Sequence, residues 1–130
     1  VMRADAMNAT SLAYIGDALM SLYVREYLLS QGYQKPNDLQ VKSTYYVSAK
    51  AQAHYVKILM EQSFFREAEL EIIRRGRNAH TVTKAKNADV MTYRMSTGFE
   101  ALWGYLYLNQ EQARLEELWE AVKKIGEVKR

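Results

Sequence analysis

The sequence predicts an all-α domain, and three observations support that prediction. Five segments carry apolar residues at helical spacing, and no segment alternates with period two for long enough to form a strand. The chain has one proline and six glycines, whereas sandwiches and barrels need many turns. Its 130 residues are the length of one domain, so residues 1–130 are expected to fold as a single unit.

The first predicted helix covers about residues 8–31 and ends before Gly32. Its apolar residues cover nearly the whole circumference, which is typical of a helix that is buried on more than one side. We therefore expect this helix to be central in the domain or to be shared with a second subunit.

Four further helices are predicted after the break at Pro36. Their expected ranges are about 38–62, 66–77, 89–109 and 111–125. The third predicted helix should direct Leu70 and Ile73 toward the core. Residues 78–88 are polar and show no periodicity, so they are predicted to form a loop.

Composition excludes several kinds of functional site. The chain has no cysteine, which excludes disulfides, thiolate nucleophiles and cysteine-bound zinc or iron–sulfur clusters. With only two histidines, His54 and His80, a histidine-rich metal site is also excluded. A site for a hard metal ion built from carboxylates remains open.

The N-terminal residues and the longest apolar stretch indicate in which cellular compartment the protein is expected. The first six residues include Asp5 and have no apolar core before a cleavage site, unlike a signal peptide. The apolar stretch of residues 6–24 includes Asp17 and several other polar residues, so a membrane span is not expected. We expect a cytoplasmic protein.

Two acidic residues stand alone in apolar helices. Asp17 is the only charged residue between residues 6 and 24, and Glu100 is the only one between residues 95 and 110. An ionised carboxylate in an apolar environment is costly unless it is paired or binds a metal ion. Each acid also has glycine nearby, Gly16 in one helix and Gly98 and Gly104 in the other, which suggests a close backbone approach.

These two acids allow two interpretations that the residues alone favour about equally. In the first, each carboxylate pairs with an arginine or caps the end of a neighbouring helix. In the second, the two helices cross so that Asp17 and Glu100 meet and hold a hard divalent cation. Mg²⁺ or Mn²⁺ suits such an all-oxygen site.

Positive charge is concentrated in residues 74–94. Six cations against one acid give this segment +5, and the whole-chain charge of +3 leaves −2 for the remaining residues. This composition suits contacts with a phosphate backbone, although a solvated basic loop is the simpler alternative. The predicted nucleic-acid contacts are Arg74, Arg75, Arg77, Asn78, Lys84, Lys86 and Arg94. A polyanion-binding surface beside a carboxylate–metal site is the chemical outline of a phosphodiesterase.

Three motifs carry a resemblance to a known family. Residues 12–19, LAYIGDAL, resemble the signature helix of the ribonuclease III family, and residues 97–104, TGFEALWG, resemble its second acidic motif. Residues 74–79, RRGRNA, further resemble the short bacterial branch called Mini-ribonuclease III, which consists of the nuclease domain alone. The resemblance covers nearly the whole chain.

The resemblance implies a helical nuclease bundle that acts as a homodimer. Double-stranded RNA would lie across both subunits, and each subunit would cut one strand by Mg²⁺-assisted hydrolysis, with Mn²⁺ able to substitute. The implied substrate is precursor 23S ribosomal RNA, and assistance by a ribosomal protein remains open. Because no double-stranded-RNA-binding domain is expected, the basic segment would take on more of the RNA recognition.

By position, Asp17 matches the main metal-binding aspartate of the family, and Glu100 matches its essential glutamate. Both are therefore candidate catalytic and metal-binding residues. Three further acids of typical members are replaced here by Thr10, Ala13 and Thr97.

Two explanations for the missing acids remain open. Either water completes the metal's coordination shell, or another acid such as Asp38 or Asp89 approaches the site. The missing acids also leave room for a non-catalytic RNA-binding module of the same fold. A helical protein-interaction domain, in which Asp17 and Glu100 are structural, is a further alternative.

Overall fold

The computed structural model describes residues 3–79 and 89–129, and the regular structure in these ranges is entirely helical. The prediction of an all-α fold is therefore confirmed. In the described ranges, a short 3₁₀ turn at Ala4–Ala6 precedes six α-helices, which are α1 (Ala9–Ser30), α2 (Pro36–Val47), α3 (Ala49–Glu61), α4 (Glu67–Asn78), α5 (Val90–Leu108) and α6 (Gln112–Ile125). None of the helices in the described ranges combines the length and hydropathy needed to cross a membrane.

The helix predicted over residues 38–62 is wrong, because the chain breaks at Ser48. Ser48 has an extended backbone (φ −63°, ψ 158°), and its hydroxyl accepts a hydrogen bond from the Ala51 N–H at 3.1 Å. The serine thus caps the start of α3 and satisfies an N–H that a continuous helix would have used. Apolar spacing continues across the break, so periodicity alone does not reveal it.

Helix α5 lies at the centre and packs against α1, α3 and α4. Glycines permit unusually close contact with α1. A methyl group on Gly16 would lie 1.8 Å from the carbonyl oxygen of Glu100, and one on Gly104 would lie 2.0 Å from that of Leu12. The close backbone approach expected from these glycines is therefore observed, and no larger residue fits there without separating the two helices.

On its other side, α5 meets α4 through a second pair of glycines. A methyl group on Gly76 would lie 2.6 Å from the Cα atom of Gly98. Helix α4 buries Ile72 and Ile73 in this contact, whereas Leu70 is 39% exposed. The inward direction predicted for Ile73 is confirmed and that predicted for Leu70 is wrong, because the neighbouring Glu69 occupies the buried position.

Glu69 is buried because Arg114 of α6 pairs with it in a bidentate ion pair. The guanidinium donates to the two Glu69 oxygens at 2.7 and 2.8 Å and to the Phe64 carbonyl at 2.7 Å. Burial raises the pKa of Glu69, but the hydrogen bonds from Arg114 and from the Arg66 N–H outweigh it and lower the pKa overall. This pair ties the start of α4 to α6.

An aromatic cluster fills the core between α1, α2, α5 and α6. Trp103 is fully buried, and Tyr23 lies edge-on to it with ring centroids 5.3 Å apart. Trp119 adds edge contacts with Tyr23 and Tyr27. Large aromatic rings in such edge-to-face contacts contribute substantially to core stability.

Within one chain, α1 is buried along one side only. Met20 and Val24 are inaccessible, whereas Tyr14 is 85% exposed and Leu22 is 51% exposed. The predicted burial on more than one side therefore does not occur within a single chain. An exposed apolar strip on an otherwise central helix is typical of an interaction surface.

Candidate active site

The crossing of α1 and α5 brings Asp17 and Glu100 together. Asp17 follows Gly16, and Gly16 contacts the backbone of Glu100 itself. Asp17 lies close enough to Glu100 for its charge to raise the pKa of that carboxyl group. The backbone contact fixes how the two helices cross, since neither can shift without disrupting it.

No cation neutralises this pair among the residues that the structure describes. The ion pairs in those residues involve other acids. The first of the two sequence interpretations, pairing with an arginine, therefore receives no support in residues 3–79 and 89–129. The negative charge of Asp17 therefore disfavours the ionised form of Glu100.

The surroundings of Glu100 raise its pKa strongly. The pKa of Glu100 is raised to about 7: burial is the largest cause, the hydrogen bond from Gln52 opposes it, and the nearby negative charge of Asp17 adds to it. Asp17 itself is exposed. The pair thus has an outer carboxylate that contacts solvent and an inner carboxylate whose ionisation is costly.

A third residue at the site, Gln52, was not identified from the sequence. Its side chain is 1% exposed, and its Nε2 donates to Glu100 Oε2 at 3.0 Å and to the Val47 carbonyl at 2.9 Å. Both partners are acceptors, so only the NH₂ end of the amide can face them. The signal in the sequence is a glutamine at core spacing with Tyr55, Val56 and Leu59.

The three positions where typical family members carry further acids add no ligand to the pair. Ala13 has no donor atom, and the Thr97 hydroxyl donates to the Tyr93 carbonyl of its own helix at 3.2 Å. The Thr10 hydroxyl donates to the Asn8 side chain at the start of α1. Within the described ranges, the replacements are therefore packing and capping residues.

Neither of the two alternative acids completes the site. Asp38 lies in the first turn of α2, and Asp89 precedes α5, which places it 11 residues or about 16 Å of helix from Glu100. No group of three or more acids or histidines at metal-binding distance occurs in residues 3–79 and 89–129. The expectation that another acid approaches is thus not met in the part of the chain that the structure describes.

The donor set of the site suits a hard divalent cation. Asp17 and Glu100 supply carboxylate oxygens, and the Gln52 Oε1 atom is a buried acceptor without a hydrogen-bond partner among the described residues. Mg²⁺ and Mn²⁺ prefer oxygen ligands and retain several waters. Two neighbouring carboxylates that form no ion pair with a described residue therefore fit such an ion.

Residues 74–79 of the basic segment lie at the C-terminal end of α4. Arg74 is held by Glu71 through a hydrogen bond of 3.0 Å, and Arg77 donates to Asn78 at 3.2 Å. Arg75 differs from both, because it donates to the backbone carbonyls of Met7 at 2.6 Å and Asp5 at 3.4 Å. Arg75 therefore anchors the N-terminal segment to α4.

The other predicted RNA contacts do not belong to α4. Arg94 is exposed on α5, six residues before Glu100, so it lies about 9 Å along the same helix. Lys84 and Lys86 lie outside the described residues, as does most of the loop predicted over residues 78–88.

The helical fold and the two neighbouring carboxylates are consistent with an enzyme that hydrolyses phosphodiesters. Comparison with known protein families identifies the family. The family model for the ribonuclease III domain matches residues 10–111. The chain belongs to the ribonuclease III family of endoribonucleases.

Its similarity extends to short members of that family. It is 51% identical over 123 residues to Mini-ribonuclease 3 of Enterococcus faecalis, with 93% of this chain and 92% of that protein covered. It is 52% identical over 114 residues to Mini-ribonuclease 3 of Streptococcus pneumoniae, covering 88% and 89% of the two chains. The resemblance to the short branch, inferred from the motifs, is thereby confirmed.

A solved structure supports the fold independently. The crystal structure of a protein from Fusobacterium nucleatum superposes with a TM-score of 0.78 at 28% sequence identity. The match covers 92% of this chain and 93% of that protein. The helical arrangement described above is therefore shared with an experimentally determined structure.

Proposed function

We propose that this chain cleaves double-stranded or structured RNA by metal-dependent hydrolysis, with Asp17 and Glu100 as its catalytic residues. The observation that carries the proposal is the meeting of these two carboxylates at the crossing of α1 and α5. Each is the only charged residue in its apolar stretch, and the two lie 83 positions apart in the sequence. A purely structural role would more simply be met by uncharged residues.

Mg²⁺ is the proposed cofactor, with Mn²⁺ able to substitute, and Asp17 and Glu100 would hold it. When bound, such an ion supplies an activated water and stabilises the charge that develops on the phosphate. Asp17 contributes the solvent-exposed ligand and Glu100 the buried one. With only two acids, we expect substrate phosphate and water to complete the coordination, so the RNA-free chain should bind the ion weakly.

The basic end of α4 is proposed to contact the RNA backbone. Arg74, Arg77 and Asn78 lie together there, and Arg94 adds a cation on the helix that carries Glu100. Lys84 and Lys86 extend the same segment in sequence. Arginines suit this task because phosphate contacts provide affinity without reading the base sequence.

The proposed assembly is a homodimer formed through the exposed strip of α1. Tyr14 and Leu22 are exposed on α1, and Tyr107 of α5 is 47% exposed beside Tyr14. Asp17 and Ala18 belong to the same exposed side of α1. A second copy docked there would cover the apolar side chains and bring two carboxylate pairs into one groove.

Precursor 23S ribosomal RNA in the cytoplasm is the proposed substrate. The support is the near-complete coverage of the short relatives, together with the motifs at residues 12–19, 74–79 and 97–104.

The test is incubation of the chain with long double-stranded RNA and Mg²⁺, with and without a chelator. We expect cleavage that the chelator abolishes. Retention of the RNA without any cleavage would instead select a binding module, and neither binding nor cleavage would select a protein-interaction domain.

A further inference from the structure

The break between α2 and α3 supplies a hydrogen-bond acceptor close to Glu100. In a continuous helix, the Val47 carbonyl would accept a hydrogen bond from the Ala51 N–H. Here that N–H donates to the Ser48 hydroxyl instead, at 3.1 Å. The Val47 carbonyl at the end of α2 is thereby free for a side chain, and Gln52 is the residue that binds it, at 2.9 Å.

Gln52 is held in one orientation by this arrangement. Its amide nitrogen donates to Val47 and to Glu100 Oε2, two acceptors on different helices. Turning the amide over would place its oxygen against a carbonyl and a carboxylate, which is unfavourable. The side chain is buried, so it also has no freedom to leave.

The consequence is that Gln52 engages only one of the two carboxylate oxygens of Glu100. Gln52 donates to Oε2 only. A neutral donor fixes the direction of the carboxylate while leaving its charge in place, whereas a lysine or arginine would compete with a bound cation. Groups of this kind, behind a metal ligand, commonly set the geometry and affinity of a metal site.

We propose that Gln52 is a positioning residue, which holds Glu100 so that its free carboxylate oxygen is directed to a divalent cation shared with Asp17. This inference rests on the proposed function, because it assigns Glu100 as a ligand. The break at Ser48 contributes to this arrangement, since it frees the Val47 carbonyl to accept the hydrogen bond from Gln52.

The test compares Gln52→Met, which keeps the length of the side chain but removes its donors, with Tyr55→Phe. Tyr55 lies one turn further along α3 and donates to the Gly126 carbonyl at 2.9 Å, so the control also removes one buried hydrogen bond. For Gln52→Met we expect the half-saturating Mg²⁺ concentration for cleavage to rise about tenfold, with KM for RNA unchanged. Tyr55→Phe should leave both values at those of the wild type.

A second readout does not depend on activity. Titration of the RNA-free chain with Mn²⁺, followed by electron paramagnetic resonance at high protein concentration, should give weak binding that Gln52→Met weakens by a similar factor. Wild-type Mn²⁺ affinity and Mg²⁺ dependence in Gln52→Met would overturn the inference while leaving the nuclease proposal intact. A wild-type chain that binds no Mn²⁺ would also overturn it, and a wild-type chain that binds Mn²⁺ but cuts no RNA would overturn only the proposed function.

Discussion

Gly16 approaches Glu100 so closely that a methyl group on the glycine would lie 1.8 Å from the glutamate's carbonyl oxygen. The contact joins the two helices that carry the candidate catalytic acids. Asp17 is the next residue after Gly16, so backbone packing brings the two acidic residues to the same point of the crossing. The geometry of the site is thus a direct consequence of the core.

Substitution Gly16→Ala should destabilise the fold severely. The added methyl group would meet backbone atoms that cannot rotate away, so α1 and α5 would have to separate. We expect a loss of at least about 3 kcal/mol in the free energy of unfolding, measured by urea denaturation. The control Ala18→Gly, on the exposed side of the same helix, should cost only about 1 kcal/mol. Equal effects from the two substitutions would contradict the packing described above.

The stability of the metal-free chain should depend on the ionisation of Glu100. Its pKa is about 7 in the folded chain and close to its ordinary value when unfolded, so folding favours the protonated form. The stabilisation is complete below about pH 4.5 and is lost as the pH rises through 7, with a total of up to about 3 kcal/mol. Glu100→Gln lacks this titration. The difference in stability between the two proteins, measured from pH 5 to 8 in chelator, should therefore move in favour of the variant. A constant difference would show that Glu100 is not perturbed.

Arg74 and Arg77 should contribute to RNA affinity by binding phosphates. The double substitution Arg74→Gln with Arg77→Gln should weaken binding and reduce the slope of log affinity against log salt by about 1 for each phosphate that the variant no longer neutralises. Filter binding at several salt concentrations measures this slope, and Lys124→Gln at the end of α6 provides a control that removes a cation elsewhere. An unchanged slope in the double variant would exclude these arginines from the RNA surface.

Arg75 should behave differently from its two neighbours. Its guanidinium binds the carbonyls of Met7 and Asp5, so Arg75→Gln should lower the melting temperature as well as any affinity for RNA. A decrease in RNA affinity in Arg75→Gln at unchanged stability would mean that this anchoring is unimportant.

The buried pair of Glu69 and Arg114 should be required for stability. Substitution Arg114→Met would leave a buried carboxylate without its partner, at a cost of about 3–5 kcal/mol in the free energy of unfolding. Because the pKa of Glu69 is lowered, its contribution is present at neutral pH and is lost as the pH falls through that lowered value. The double variant with Glu69→Gln should recover part of the stability at pH 7, and the absence of any recovery would contradict the pairing.

The exposed strip of α1 should determine the oligomeric state. Tyr14 is 85% exposed in one chain, so Tyr14→Glu should leave the monomer folded. It should nevertheless convert a dimer to a monomer, as measured by sedimentation equilibrium. A variant that remains dimeric would place the interface elsewhere.

The features that could be predicted from the sequence are those with a local signature. A lone acid near glycine, found in two apolar helices, made a crossing at Asp17 and Glu100 one of two interpretations, and helical spacing located most of the helices. The break at Ser48 depends on a single side-chain hydrogen bond within an unbroken apolar pattern, so spacing could not reveal it. Gln52 was missed for a related reason, because its partners Val47 and Glu100 become neighbours only after the break has formed.

Leu70 shows the same limit in the core. Spacing favours its burial, but the strong pairing of Glu69 with Arg114, 45 residues away, gives the inward position to the acid. A contact between residues distant in the sequence therefore determines which side chain of α4 is buried, and apolar periodicity does not contain that information.

The most direct test of the account is the rate of cleavage of long double-stranded RNA in Mg²⁺ by the wild type, Asp17→Asn and Glu100→Gln. Both substitutions keep the shape of the side chain and remove one carboxylate. We expect each to reduce the cleavage rate at least about a hundredfold while RNA binding, helical content and oligomeric state stay unchanged. Cleavage at the wild-type rate by either variant would contradict the assignment of the two acids as the catalytic pair.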